Sequence, residues 1–553
     1  MVNMEPVSVW NNKKYVISII VYALLSFGFQ LTHASLGADD IFIYEYFYGG
    51  MGVIIGRWPF FVLSRCIGID GLSRFIPFST DLFAVVLLII AAMIWTEYIR
   101  RVLSMFDVEI NIFPYIVFSG MFIGYSLITQ VWIYYLHNGI VLGYVLIGLS
   151  LIKYIDLINK RLHKKLESEN CFKALIEVLI LVVFVCLAIS FYESMVSVFL
   201  VGISFYLLVA VYRQTKIEYR NMTMIIFGSL SIIAVSILVR YVIIYALCFA
   251  YGLSAGSRQP NMAYMNGFFA RIKEIVAGNA CSFFLLPEYQ PIRLFMECVV
   301  FDIVMVIWDI FKNRRVRMLF IACWWLFSVF SMAPFLAPDI PYRAMQSLSV
   351  FVAFSLFIFS VVFCRSFAES GGSRLLSGLS YLIIGIVFWN NVCEINYDFN
   401  TEYKNNEYMM TKIDHIGYDL YHMGYSPDED FVLFMDGGAA EAFMPYPTRQ
   451  DMTERGYVWD SIRRKLCESV SIDYNYGSPN YYQSINQNMI AWAIDAFGNQ
   501  DQLIRMFEYA GYELHAATEE EMDAVVGHAT EMPVYPTDGY ICKVGNCYVV
   551  NIQ

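Results

Sequence analysis

The sequence predicts a mostly α-helical, polytopic membrane protein that carries an α+β domain at its C-terminal end. Three observations support that expectation. Of 553 residues, 58% are apolar and only 15% are charged, a balance outside that of soluble globular chains. Segment after segment holds about 18 or more mostly apolar residues, the length a helix needs to cross roughly 30 Å of hydrocarbon. After Cys393 the chain turns abruptly into mixed polar sequence. That change divides a transmembrane part, residues 1–393, from a terminal part, residues 394–553.

About eleven spans follow in order, near 15–34, 77–97, 112–129, 139–156, 174–190, 194–212, 222–244, 291–311, 318–336, 344–363 and 375–393. The first reads as a membrane helix rather than a signal peptide. Thr32-His33-Ala34 imitates a cleavage site, but the apolar stretch before it is long for a signal. Basic residues fix the orientation. Lys13, Lys14, Arg100, Arg101, Lys160, Arg161, Lys164, Lys165, Arg213, Lys216, Arg220, Lys312, Arg314, Arg315, Arg317, Arg365 and Arg374 all fall on one set of span ends. The positive-inside rule makes those ends cytoplasmic, which places the N-terminus inside and the C-terminus outside.

The net charge of −11 hides an asymmetry, because residues 394–553 alone carry 26 acidic and 9 basic side chains. An acidic outer domain argues against nucleic acid as a partner. Within it, helical runs are expected near 404–422, 482–497 and 500–510, the last stopped by Gly511. Strands are expected at Phe431–Phe434, Tyr540–Val544 and Cys547–Ile552, the last two turning at Gly545-Asn546. Cys542 and Cys547 flank that turn, and either a disulfide or a pair of thiols fits the spacing. Cys171 and Cys364, on the reducing side, read as plain thiols. The sequon at Asn221 lies on the cytoplasmic side and is read as chance.

The cytoplasmic loops are short and basic and hold no Walker, kinase or Rossmann pattern, which argues against nucleotide-driven chemistry there. Four outer segments are long enough for chemistry: the first outer loop 35–76, the turn at 130–138, residues 245–290 and the tail. The first outer loop runs Gly37-Ala38-Asp39-Asp40-Ile41-Phe42-Ile43-Tyr44-Glu45-Tyr46, then Gly49-Gly50-Met51-Gly52 and Gly56-Arg57-Trp58-Pro59. Two readings of Asp39-Asp40 stand together. Adjacent carboxylates at a low-dielectric boundary have raised proton affinity, which suits a general base that takes a proton from an attacking hydroxyl. They equally suit the N-terminus of a following helix.

Ala38-Asp39-Asp40 followed by Gly56-Arg57-Trp58 resembles the C-superfamily (GT-C) membrane glycosyltransferases, and within them the glucosyltransferase type II group of O-antigen-modifying bacterial enzymes. The specific motifs cover some twenty residues; span number, orientation and the outer tail agree loosely over the rest. The resemblance implies a catalytic acid in the first outer loop, either Asp39 or Asp40. It also implies a polyprenyl-phosphate sugar donor, most simply glucose, and inversion at the anomeric carbon. The acceptor would be a cell-surface polysaccharide or its lipid-linked precursor, and the location a bacterial inner membrane. It requires no cofactor; a divalent cation is used by some relatives and not others, and no spacing here demands one.

A lipid-phosphate donor calls for basic residues near the outer membrane face. Arg57 and Arg65 in the first loop, Arg240 inside an apolar run, and Arg343 in Pro338-Asp339-Ile340-Pro341-Tyr342-Arg343 are the candidates. Against each stands snorkelling or simple ion pairing: Arg343 with Asp339, and Arg240 with Asp302 or Glu297. His137 and Glu193 lie in outer turns, and with Trp58 and Tyr44 they are candidate sugar or acceptor contacts. Aromatic belts at membrane interfaces account equally for the rings. Two other classes compete with the transferase. A repeat-unit polymerase shares the location, and a lipid-linked sugar flippase or transporter would instead bind substrate near the midplane between repeated halves.

Overall fold

The chain is described here from a computed structural model, which covers residues 9–36, 50–68, 76–133, 137–162, 171–213, 219–253, 290–313, 317–331, 344–369, 374–435, 500–518, 520–522, 525, 527 and 532–552. It is mostly helical. Among the described residues, eight helices are long and apolar enough to cross a membrane: Lys13–Thr32, Ser79–Met105, Phe113–Trp132, His137–Lys160, Phe172–Phe191, Met195–Arg213, Arg220–Tyr251 and Gly378–His422.

The helices used below are α1 (Lys13–Thr32), α2 (Trp58–Phe61), α3 (Ser79–Met105), α4 (Phe113–Gly124), α5 (His137–Leu162), α6 (Cys171–Phe191), α7 (Met195–Arg213) and α8 (Tyr219–Tyr251). After them come α9 (Gln290–Asn313), α10 (Arg317–Val329), α11 (Ser347–Glu369) and α12 (Arg374–His422). Three of the eleven expected spans map to α9, α10 and α11, which meet the length and apolarity of the others less well. α9 is 24 residues long but carries Arg293, Glu297, Asp302, Asp309 and Lys312. The apolar parts of α10 and α11 are shorter than a full crossing, at Met318–Val329 and Ser347–Phe363.

Hydrogen bonds between helices satisfy many of the bundle's polar groups internally, as a hydrocarbon solvent favours. Asn12 caps α1 by accepting from the Lys14 and Tyr15 amides at 3.0 and 3.3 Å. The hydroxyls of Tyr15, Thr96 and Ser119 close a buried triangle at 2.7–2.9 Å between α1, α3 and α4. Trp95 donates to the Tyr144 carbonyl at 2.9 Å, and Tyr98 to the Gly202 carbonyl at 2.6 Å, tying α3 to α5 and α7. Gly148 lets α3 close on α5, since a Cβ there would lie 2.8 Å from Ile94. Outward faces stay apolar: Phe227, Leu238, Phe249, Trp308 and Phe311 are exposed large side chains.

The longest element is α12, a single helix of 49 residues, about 73 Å at 1.5 Å per residue. The compositional boundary at Cys393 falls inside it. Nothing stops the helix there, because neither glycine nor proline occurs between Gly385 and Gly417. It ends at Gly424, which is left-handed at φ +91°, with Tyr425 N–H donating to the Leu420 carbonyl at 3.1 Å.

The upper part of α12 builds the terminal domain. Met409, Ile413, Ile416 and Leu420 form a stripe at helical spacing. That stripe packs with Leu503, Ile504, Met506 and Phe507 of α13 (Gln500–Tyr509) and with a three-stranded sheet. β1 (Phe431–Met435) runs parallel to the central β3 (Cys547–Asn551), and β2 (Ile541–Val544) pairs antiparallel with β3. The expected strands, the Gly545 turn (φ +63°) and the Gly511 stop (φ +96°) are all present. The helical run expected near 482–497 lies outside the described residues. Cys542 and Cys547 are free thiols, because the register sets Cys542 opposite Val549 and Cys547 opposite Val544. They therefore do not face each other across the hairpin.

Candidate functional site

Glycines shape the segment from Gly50 to Gly68. Gly50 opens a short turn of helix at φ +91°, Gly56 reverses the chain at φ +88°, and Gly68 ends it at φ +76°. Between them Arg57 precedes α2, which continues as a π-helical turn over Val62–Ile67. Val53 and Phe61, with Trp58 and Val62 against them, pack on Ile244 and Cys248 and so seat the segment on α8.

That seating brings Gly56 to Arg240. The arginine is 8% exposed. Its Nε donates to the Gly56 carbonyl at 3.3 Å, and its Nη2 to Glu193 Oε1 at 2.5 Å. A Cβ on Gly56 would fall 2.1 Å from Nη2, so the guanidinium occupies the space a side chain would fill. The sequence alternatives for Arg240 therefore resolve otherwise. Asp302 accepts from Trp325 and Ser355 at 3.1 and 2.8 Å, while Glu297 sits 3.6 Å from Arg293.

Arg57 joins this corner from the other side, with its guanidinium 5.0 Å from the centre of the Tyr192 ring, the residue next to Glu193. Its Nε is buried and has no hydrogen-bond acceptor. Arg65 does not join it. That side chain lies over Phe61 and Tyr251 at 5.8 and 5.7 Å, and Tyr251 is eleven residues along α8 from Arg240, about 16 Å of helix. Trp58 belongs to the apolar packing on α8, with its indole N–H buried and without an acceptor.

A second corner lies beside the first. Phe60 meets Phe191 edge-on at 5.2 Å. A Cβ on Gly139 would lie 2.7 Å from Phe60, so the start of α5 closes directly on this wall. His137, two residues earlier, is buried and stacked on Trp132 at 5.0 Å, with its Nε2 3.6 Å from Asp81 Oδ1. Trp132 donates to the same oxygen at 3.0 Å and packs against Phe27 at 4.8 Å and edge-on against Phe399 at 6.4 Å.

Around Asp81, Gln30 faces the same carboxylate from α1. Glu402 of α12 stands close enough for the two carboxylates to repel, with Ser35 beside it. Thr129 donates to Asp398 at 2.6 Å one turn below. Taking acids out of water is costly, and ionisable groups within a membrane bundle mark function by default.

Sequence reasoning named Arg57, Arg240, Glu193 and His137 separately; the fold gathers them along one wall. It did not find Asp81 or Glu402. Asp81 reads as an ordinary acid in a first helical turn and Glu402 as one of many tail acids, so only contacts between α1, α3 and α12 reveal them. Asp39, Asp40, Tyr44 and Arg343 lie outside the described residues. Among the described residues, no group of three or more His, Cys, Asp or Glu side chains is placed to hold a metal. No protein-family model, no curated protein and no solved structure matches the chain.

Proposed function

We propose that the chain is a multi-pass glycosyltransferase that moves a sugar, most simply glucose, from a polyprenyl-phosphate carrier to a cell-surface glycan or its lipid-linked precursor. In this reading α9, α10 and α11 join the eight long apolar helices to make about eleven spans. The basic ends face the cytoplasm of a bacterial inner membrane, and both corners and the terminal domain lie outside.

The observation that carries the reading is the pairing of two guanidinium groups on one wall. Arg240 bonds Gly56 and Glu193, and Arg57 covers the neighbouring Tyr192. Arginine offers five N–H donors in a fixed fork. Arg240 therefore keeps donors beyond its two bonds, and Arg57 Nε has no acceptor of its own. Such a pair suits a phosphate ester, whose charge grows as it leaves. The acceptor hydroxyl attacks the anomeric carbon, the bond from that carbon to phosphate oxygen breaks, and the electron pair stays on the phosphate beside the arginines. Asp39 or Asp40 takes the hydroxyl proton. A midplane carrier would need its polar groups between repeated halves, whereas these gather around the chain turns at Gly56, Glu193 and His137.

The test is sugar transfer from radiolabelled polyprenyl-phosphate-glucose to cell-envelope glycan in membranes of matched expression. Wild type should transfer, Asp39→Ala combined with Asp40→Ala should not, and Arg57→Gln should lose at least tenfold. Equal transfer by wild type and the double variant removes the acid pair from the mechanism. No transfer with any of several sugars turns the reading toward a flippase.

A further inference from the structure

The second corner has an excess of acceptors. Asp81 is 2% exposed, and its Oδ1 takes the Trp132 N–H at 3.0 Å while its Oδ2 has no donor. Gln30, 5% exposed and facing Asp81, leaves its Oε1 without a donor. Glu402, beside Asp81, leaves its buried Oε2 without one. The Gln30 amide lies against Asp81 and Ser35 against Glu402, yet one oxygen on each of three separate helices still converges here with its acceptor capacity open. At the His137 edge of the same cluster, Asn138 is 1% exposed with neither amide atom partnered. Buried polar atoms left open in this way need an account.

The charge layout restricts what can supply the donors. A cluster of carboxyl and amide oxygens offers a phosphate nothing to bind, whereas the arginines across the Phe60–Phe191 wall attract one. A molecule spanning both corners is anionic at one end and rich in neutral O–H groups at the other. We infer that Gln30, Asp81 and Glu402 form a recognition cluster for the hydroxyl groups of a neutral sugar, held there while its phosphate ester lies against Arg57 and Arg240. This rests on the lipid-phosphate donor reading and adds the residues that recognise the sugar itself. Sites built to bond a hydroxyl discriminate strongly against ligands that lack it, because the protein's acceptors are then left open.

The experiment compares two lipids on the full chain in nanodiscs: polyprenyl-phosphate-glucose and bare polyprenyl phosphate. Wild type should bind the sugar-bearing lipid at least tenfold more tightly. Asp81→Asn and Glu402→Gln should each shrink that ratio to under threefold, leave bare-lipid binding unchanged, and leave thermal stability equal or higher, since the new amide satisfies a neighbouring acceptor. A purely structural role predicts lowered stability with an unchanged ratio, and that result overturns the inference. So does a wild type that binds both lipids alike.

A second readout separates this inference from the donor reading. Titration with free D-glucose should change the tryptophan emission of wild type, and the change should vanish in Trp132→Phe and in Asp81→Asn. If neither lipid binds but the glucose response persists, the donor reading falls and the cluster stands. If glucose also gives no response, the cluster falls with it.

Discussion

Replacing Gly56 with alanine tests whether the close approach of the Arg240 guanidinium is what organises the cationic corner. The new Cβ would fall 2.1 Å from Nη2 and 2.7 Å from Cζ. To restore ordinary contact at 3.4 Å the guanidinium must retreat by about 1.3 Å, more than a hydrogen bond tolerates. Two bonds go with it, the one to the Gly56 carbonyl and the one to Glu193. Losing hydrogen bonds to a charged group costs about 1.5–3 kcal/mol. A left-handed φ of +88° on a residue with a side chain adds about 1–2 kcal/mol. With both bonds counted, the sum is roughly 4–8 kcal/mol.

Gly68 supplies the control, because its φ is +76° and a Cβ there meets nothing within 4 Å. Gly68→Ala carries the backbone strain alone. Thermal unfolding and binding of polyprenyl phosphate by the detergent-purified chain are the assays. Gly56→Ala should lower stability more than Gly68→Ala and weaken lipid binding at least tenfold, while Gly68→Ala leaves binding within a factor of two. Equal effects of the two substitutions on binding would refute the argument, since the shared factor is then the backbone and not the arginine.

Glu193 competes with any phosphate for Arg240, so Glu193→Gln should tighten binding of polyprenyl phosphate several-fold while costing roughly 1–3 kcal/mol of stability. Weaker binding on titration of the lipid would mean that the carboxylate, not the guanidinium, meets the ligand. In the terminal domain, burial pushes the Asp430 carboxyl up, but the Lys543 ammonium at 2.9 Å and the Ser426 amide outweigh it and hold the group below its ordinary value. A carboxyl lowered by folding stabilises above its unfolded value of about 3.9 and loses that contribution as pH falls through the folded value. Asp430→Asn should therefore be less stable than wild type at pH 7, with the gap closing in pH-resolved melts as the pH falls below the ordinary carboxylate range. A gap unchanged by acid would remove the ion pair as its cause.

What the sequence made legible was whatever a single segment can display. Long apolar runs announce spanning helices, and Arg240 stood out because a charge inside Val235–Ile244 has no local excuse. Gly511, Gly545 and the runs around them announced a helix end and a hairpin. The partners were less legible. Glu193 was a candidate on its own account, and nothing in Tyr192-Glu193-Ser194 points to a residue 47 positions later on another helix. Asp81 and Glu402 are 321 residues apart in the chain, and neither has a neighbour that marks it. The shift in composition at Cys393 likewise does not mark the end of a helix. Backbone hydrogen bonds within α12 continue across it because every residue from 386 to 416 tolerates helical geometry.

That continuity gives α12 the character of a shaft. Its lower stretch touches the bundle through Asp398 and Glu402, and its upper stretch, from Met409 to Leu420, bears the sheet. A shaft transmits torque and has a phase. One residue inserted between Glu402 and Met409 would lift the sheet about 1.5 Å and swing it through about 100°, whereas seven would lift it about 10 Å and return it to within about 20° of its starting bearing. Height and bearing of the terminal domain are therefore adjustable separately. A partner that grips that domain and turns it also turns Glu402 relative to Asp81.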